Sequence, residues 1–371
     1  MKSNKVPYVA GVLAIAATQV IAQEVKTASP WEFYGRAHLS VDQLNDGKDY
    51  NKMNLSNNSS RIGFRGAKSF GDLKGIWQIE TEIQFNRNPD TSVPVTGVSG
   101  TTGTGTQDTA NTLATRDTFA GLDGGWGTFR IGKFDTPMKV AREPANLFGD
   151  QLGDMRNITR ASLKFDERPA NILEYKSPAM GGLQLMLAYV PHDGKTATAG
   201  KDNGLTSYGL TYKSGNLDLA AAQESYQQDN ADGKRDGSRF AASYKMSSNF
   251  RVVGFYQDAT DKASATAGTA NDKSAKTTGY GAEYAITPGK TFIKFHSMKQ
   301  DAKKADSNAT LNAIGIEHLI DKQSRFYVNY ASISNDAAAK VTPWKEGRST
   351  DVSGVVGKSA SGISIGMRYD F

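Results

Sequence analysis

The chain contains no cysteine. Disulfides, thiolate metal sites and cysteine nucleophiles are therefore excluded. The compartment is not, because an exported protein can do without disulfides. Long apolar runs are also missing: beyond residue 22 no stretch approaches eighteen consecutive apolar residues, so no transmembrane helix is expected there. No long amphipathic helix is evident either. A strong excess of one charge sign is missing too, with 44 Lys and Arg against 38 Asp and Glu, and the basic residues lie scattered among acidic ones. Without a dense basic run there is no case for a nucleic-acid partner. The four histidines, His38, His192, His296 and His318, show no ligand spacing, so no metal site and no cofactor are expected. No repeat of fixed period is present, which argues against a propeller.

What is present suits strands. The 371 residues include 38 glycines but 11 prolines, with 15 tyrosines and 16 phenylalanines. This is the mix of many strands joined by glycine-rich turns. Hydrophobic residues make up 38% and mean hydropathy is −0.50, so bulk hydropathy alone resembles that of a soluble protein. The N-terminus reads as an export signal. Lys2 and Lys5 precede the apolar "VPYVAGVLAIAATQVIA" (6–22), and Val20 and Ala22 suit cleavage before Gln23. Residues 1–22 are thus expected to leave as a signal peptide, and 23–371 to form one domain. Losing Lys2 and Lys5 leaves 42 basic residues against 38 acidic ones.

The period of the mature chain is two. In "WEFYGRAHLSV" Trp31, Phe33, Gly35, Ala37, Leu39 and Val41 share one face, and Glu32, Tyr34, Arg36, His38 and Ser40 the other. "GIWQIETEIQF" (75–85), "TLNAIGIEHLI" and "SRFYVNYASI" alternate likewise. Connections alternate between short and long. The short ones are "FGDLKG", "DGGWG", "SPAMGG", "KSGN", "KMSSN", "ITPGK" and "IDKQS", and eight longer polar stretches separate them. Fifteen connections join about sixteen strands, with tight turns at one end and long loops at the other. That is the layout of a membrane-spanning barrel, not of a sandwich. The ending "SASGISIGMRYDF" fits as well. Ile363, Ile365, Met367, Tyr369 and Phe371 alternate with polar residues to the last position, because a closed barrel must pair its last strand with its first.

This ending, the export signal and the rhythm of turns and loops resemble the general diffusion porins of Gram-negative outer membranes. The resemblance is carried by "EFYGRAHLS" (32–40), "SSRIGFRGAKSFGDLKGIWQIETEIQF" (59–85) and, most specifically, "TRDTFAGLDGGWGTFRIGKFDTPMK" (115–139). It implies a sixteen-stranded antiparallel transmembrane β-barrel, homotrimeric, passing small hydrophilic solutes by diffusion. Its surroundings would be outer-membrane lipid and lipopolysaccharide. The assembly machinery would read the terminal aromatics Tyr369 and Phe371. It further implies a third loop, about 135–165, folded into the barrel. That loop carries the acids Glu143, Asp150 and Asp154 opposite a wall of arginines, for which Arg36, Arg61, Arg116 and Arg168 match, with Arg65 and Arg130 in the same inward register. Facing rows of opposite charge across a narrow aqueous gap set up a transverse field that passes dipolar solutes and excludes apolar ones. One departure stands out: where the family usually has a second acid before its Phe-Gly turn, this chain has Leu147.

Asp117 and Lys133 fall on the outward register of their strands by alternation. A lysine facing lipid at the midplane costs roughly 2–4 kcal/mol. The pair therefore suggests a protein-covered face, which the resemblance implies to be the trimer interface. Enzyme motifs do not survive their context. "GISIG" (362–366) matches the nucleophile elbow but lacks the turn and the following helix. "GKT" and "GKS" lack the upstream glycine of a phosphate loop, with Tyr189, Tyr284 and Val352 in its place. The sequence thus points to a general diffusion porin, not an enzyme, with a substrate-selective outer-membrane channel as the alternative.

Overall fold

The computed structural model describes residues 31–83, 113–191, 204–227, 233–263, 269, 271–350 and 352–371. The proposed signal peptide lies outside them. Among the described residues seventeen strand segments follow one another: β1 (Trp31–Asn45), β2 (Asn51–Asn57), β3 (Arg61–Phe70), β4 (Leu73–Ile83), β5 (Leu113–Gly124), β6 (Gly127–Lys133), β7 (Ile172–Lys176), β8 (Leu183–Val190), β9 (Leu205–Ser214), β10 (Leu217–Tyr226), β11 (Arg235–Lys245), β12 (Phe250–Asp261), β13 (Ala275–Thr287), β14 (Thr291–Ala302), β15 (Ala309–Leu319), β16 (Ser324–Asn335) and β17 (Ala360–Asp370). Consecutive segments pair antiparallel, except β2 and β3, which both pair with β1, and β17 returns to β1 from Arg36↔Asp370 to Asn45↔Ser361.

The barrel nevertheless has sixteen strands. β2 pairs with the upper part of β1 and β3 with its lower part, so the two are halves of one strand broken at residues 58–60. All seven expected tight turns separate consecutive strands. Closure reaches the last residue: Gly35 N donates to Phe371 O at 2.8 Å, and Phe371 N donates to Gly35 O at 3.0 Å.

The period-two pattern is turned inside out, as lipid requires. On β17, Ile363, Ile365, Met367 and Tyr369 are exposed on the outer face, while Ser364 is fully buried inside. The Phe371 ring packs near Phe33 and Tyr369, with centroids 5.8 and 5.7 Å away. The apolar core is not the sheet folded on itself. It is the long loop between β6 and β7, residues 134–171, pressed against the inner wall. Leu147, Phe148, Leu152, Met155 and Ile158 join Leu311, Ala313, Ala331 and Ile333 of the wall in one cluster. Phe134, Met138, Ala141, Leu163 and Phe165 join Ile172, Ala188, Ala220 and Ala222 in another. The wall is built small where the loop lies. A Cβ on Gly237 would fall 2.6 Å from the Phe165 ring, and one on Gly153 of the loop would fall 2.6 Å from Ala313 Cβ.

Candidate pore constriction

The loop 134–171 is held in short turns. Thr136 Oγ1 accepts from Lys139 N at 3.3 Å and caps a helical turn, α1 (Pro137–Val140), with proline at its first position. A 3-10 turn (Glu143–Ala145) and a second helical turn, α2 (Arg156–Thr159), follow. The loop's root is tied by charge. Asp135 meets Lys139 at 2.8 Å and Arg168 at 2.7 Å, and Arg168 also bonds Asp117. Asp166, buried, receives both terminal nitrogens of Arg239 at 2.5 and 2.9 Å. Burial alone would raise the Asp166 carboxyl, but Arg239 and Arg142 outweigh it and hold it well below the usual range.

At the tip, Asp150 adopts φ 58° and turns its carboxylate towards the wall. It accepts from Arg156 Nη2 at 2.6 Å and lies 3.9 Å from Arg36 and 3.7 Å from Arg61. Burial would raise this carboxyl too, but Arg156 and then Arg61 draw it far below its ordinary value. Asp154 has a different role. It is buried, accepts from Arg156 Nη2 at 2.6 Å and from the backbone N–H groups of Asp150 and Arg156, and so fastens the loop to itself. Glu143 stands free of the wall, its side chain 58% exposed and 3.2 Å from Arg142 Nε. Leu147 is buried against the wall, where a Cβ on Gly281 would lie 3.0 Å from it. The departure from an acid there is a packing residue.

Opposite the tip, Arg36 and Arg61 are cross-strand partners on β1 and β3. Like charges in that position repel, and carboxylates separate them. Asp370 accepts from Arg36 Nε at 2.6 Å, and Glu80 lies 3.7 Å from Arg61. Arg116 donates to Glu80 at 2.7 Å and to Glu82 at 2.9 Å. An open cavity of ≈ 460 Å³ at the tight-turn mouth is lined by Tyr34, Arg36, Arg61, Arg65, Glu80 and Asp370, among others. So Arg36, Arg61 and Arg116 gather opposite Asp150. Arg65 lies further towards the mouth, bonded to Glu32 and stacked over Tyr34 at 4.8 Å. Arg130 and Arg168 stand apart near the loop's root. Arg130 is bonded to Glu174 and lies over Phe134 at 3.9 Å.

A sequence model of a family described as Gram-negative porin matches residues 9–338. The chain belongs to the Gram-negative porin family. Outer membrane protein U of Vibrio parahaemolyticus is 27% identical over 367 residues, 96% of each chain. A chitoporin of Vibrio furnissii is 27% identical over 232 residues, which is 61% of this chain and 56% of the chitoporin's own length. Among solved structures, an anion-selective porin from Comamonas acidovorans superposes with a TM-score of 0.75 at 22% identity, covering 92% of this chain and 99% of that one.

In this porin one expected orientation is overturned. Asp117 does not face outward; it bonds Arg168 beside Asp135. The cause is a β-bulge. β4 and β5 stay in register to Ile79↔Thr118 and resume at Thr81↔Thr115, so Arg116 and Asp117 together oppose Glu80. Strict alternation fails at that point. Lys133, two residues beyond the exposed Ile131, keeps the outward register opposite Thr118. The wall acids Glu80 and Glu82 went unremarked as functional residues in the sequence. Their signal was there, since both sit on the polar face of "GIWQIETEIQF". Asp370, which Arg36, Arg325 and Arg368 share, lies in the last strand on the polar face.

Proposed function

We propose that this outer-membrane porin is a general diffusion channel for small hydrophilic solutes and ions, exported with cleavage of residues 1–22 and assembled as a homotrimer in lipid and lipopolysaccharide. The observation that carries the reading is the tip of the third loop reaching Arg36 and Arg61 with Asp150 at 3.9 and 3.7 Å. A loop that crosses the lumen and meets a charged wall narrows the channel to an aperture edged by fixed dipoles. There a hydrated solute exchanges water for polar contacts, and an apolar one gains nothing. Glu143, Asp150, Arg36, Arg61 and Arg116 border the aperture in this reading. Asp154, Arg130 and Arg168 hold the loop in place. Lys133 supports a protein-covered outer face between protomers, because an exposed ammonium in lipid is costly. Tyr369 and Phe371 serve as the assembly signal. No step of the reading requires a cofactor or a chemical reaction.

The structural relative is described as anion-selective. In this chain the wall arginines are matched by Glu80, Glu82 and Asp370 on the same wall, which favours mild selectivity. The test is the reversal potential of single channels in a planar bilayer under a salt gradient. Neutralising Arg61 and Arg116 together to glutamine is expected to shift it towards cations. Unchanged reversal potentials, or small currents blocked by one solute at low concentration, would replace the general pore with a substrate-selective channel.

A further inference from the structure

The third loop is not alone inside the barrel. The last long connection, between β16 and β17, also folds inward, and it is anchored by contacts of four kinds. Trp344 is fully buried in the same apolar cluster as Leu44 and Leu152, and its Nε1 donates to Val352 O at 2.8 Å. Gly153 N, at the tip of the third loop, donates to Pro343 O at 2.8 Å. Arg348 bonds Asp42 of β1, and both side chains are fully buried. Ser349 N donates to Asn57 O at 3.0 Å, where the second barrel strand is broken. Gly347 (φ +72) passes over the Asp150–Arg156 pair so closely that a Cβ would lie 2.2 Å from Arg156 Nη2.

We propose that residues 341–350 form a second constriction element of this channel. They fill the lumen between the tip of the third loop and the wall of β1 and β2, and they hold Asp150 against Arg36 and Arg61. A polar loop left in water would keep its conformational freedom; this one surrenders it against a buried tryptophan and a buried ion pair. A desolvated pair such as Arg348–Asp42 contributes little net stability and fixes position instead. The two charges cancel, so the element sets the width of the passage more than its sign. The break at residues 58–60 has its explanation here as well. The interrupted strand turns backbone groups inward, where Ser349 and Gly347 meet them; Ser59 Oγ donates to Gly347 O at 3.3 Å.

The inference rests on the channel reading, and its test separates the two. Residues 341–350 are replaced by a short Gly-Ser linker, and single-channel conductance and the size limit for neutral sugars in liposome swelling are measured. Conductance is expected to rise as cross-section is freed, and larger sugars to enter. An unchanged conductance and size limit in a folded deletion variant would overturn the proposal. Should the deletion fail to fold, the double variant Asn57→Cys with Ser349→Cys decides. The chain has no other cysteine, and hydrogen-bonded backbones lie within disulfide range. Crosslinking on oxidation in membranes with unaltered conductance supports the inserted loop. Failure to crosslink, or a crosslinked channel that conducts less than its reduced form, overturns it. A double-cysteine variant that crosslinks, beside a folded wild-type protein that never conducts, would sink the channel reading and leave the loop's placement standing.

Discussion

At the scale of single residues, the proposed constriction turns on which carboxylate meets which guanidinium. Asp150 and Asp154 are four residues apart, and both were expected at the aperture. Only Asp150 turns to the wall, because its positive φ aims it there while Asp154 accepts the loop's own N–H groups. Asp150 should therefore carry a pH signature. Its native pKa is depressed, with Arg156 and Arg61 outweighing burial. A carboxylate lowered on folding contributes stability that is complete above its unfolded value, about 4, and is lost as pH falls through the native value. Asp150→Asn is expected to destabilise the folded barrel by about 1–3 kcal/mol. The deficit should be constant from pH 8 to 5 and shrink below about pH 4, the unfolded value. Urea midpoints of the detergent-solubilised pair across that range check it. A deficit that grows on acidification would mean that Asp150 is not held by its arginines.

At the scale of elements, the last strand shows how closure depends on a single residue. Phe371 supplies both backbone hydrogen bonds to Gly35 and the ring that packs by Phe33. Deleting it removes two bonds, each worth about 1 kcal/mol, and also the proposed assembly signal. Folded, heat-resistant barrel recovered from outer membranes is expected to fall severalfold; equal recovery would leave Phe371 with no part in assembly. Elements of this kind were readable in advance. The seven tight turns, the strand running to the terminus and the polar face of β1 that carries Arg36 follow from period two and turn chemistry, whereas Arg61 was implied by the family resemblance. What escaped was whatever breaks the period. The bulge at Ile79/Thr81 reversed Asp117. The gap at 58–60 split one strand in two, and nothing in the polar run "NDAAAKVTPWKEGRST" distinguishes a solvated loop from one docked by Trp344. A loop's destination depends on a matching small-residue wall far away in sequence, and Ala313, Ala331 and Gly237 announce that wall only once their partner is known.

At the scale of the whole molecule, charge is balanced locally more than globally. Arg116 has Glu80 and Glu82, Arg36 has Asp370, and Arg61 lies between Glu80 and Asp150. In the proposed channel, a wall paired in this way would offer solutes dipoles in place of a bare cationic field, and ion preference would become a small difference between large opposing terms. Removing one acid should therefore expose an arginine. Glu82→Gln leaves Arg116 its shorter bond to Glu80 and so preserves the wall's geometry. It is expected to move the reversal potential towards anions, opposite in sign to the loss of Arg61 and Arg116. Screening then gives the second arm. At about 1 M salt the Debye length is near 3 Å, shorter than the Asp150–Arg36 and Asp150–Arg61 separations of 3.9 and 3.7 Å. Both shifts should shrink together as salt rises from 0.1 M to 1 M. A shift in Glu82→Gln that survives high salt would have to come from altered pore width, and the electrostatic account of the wall would fall with it.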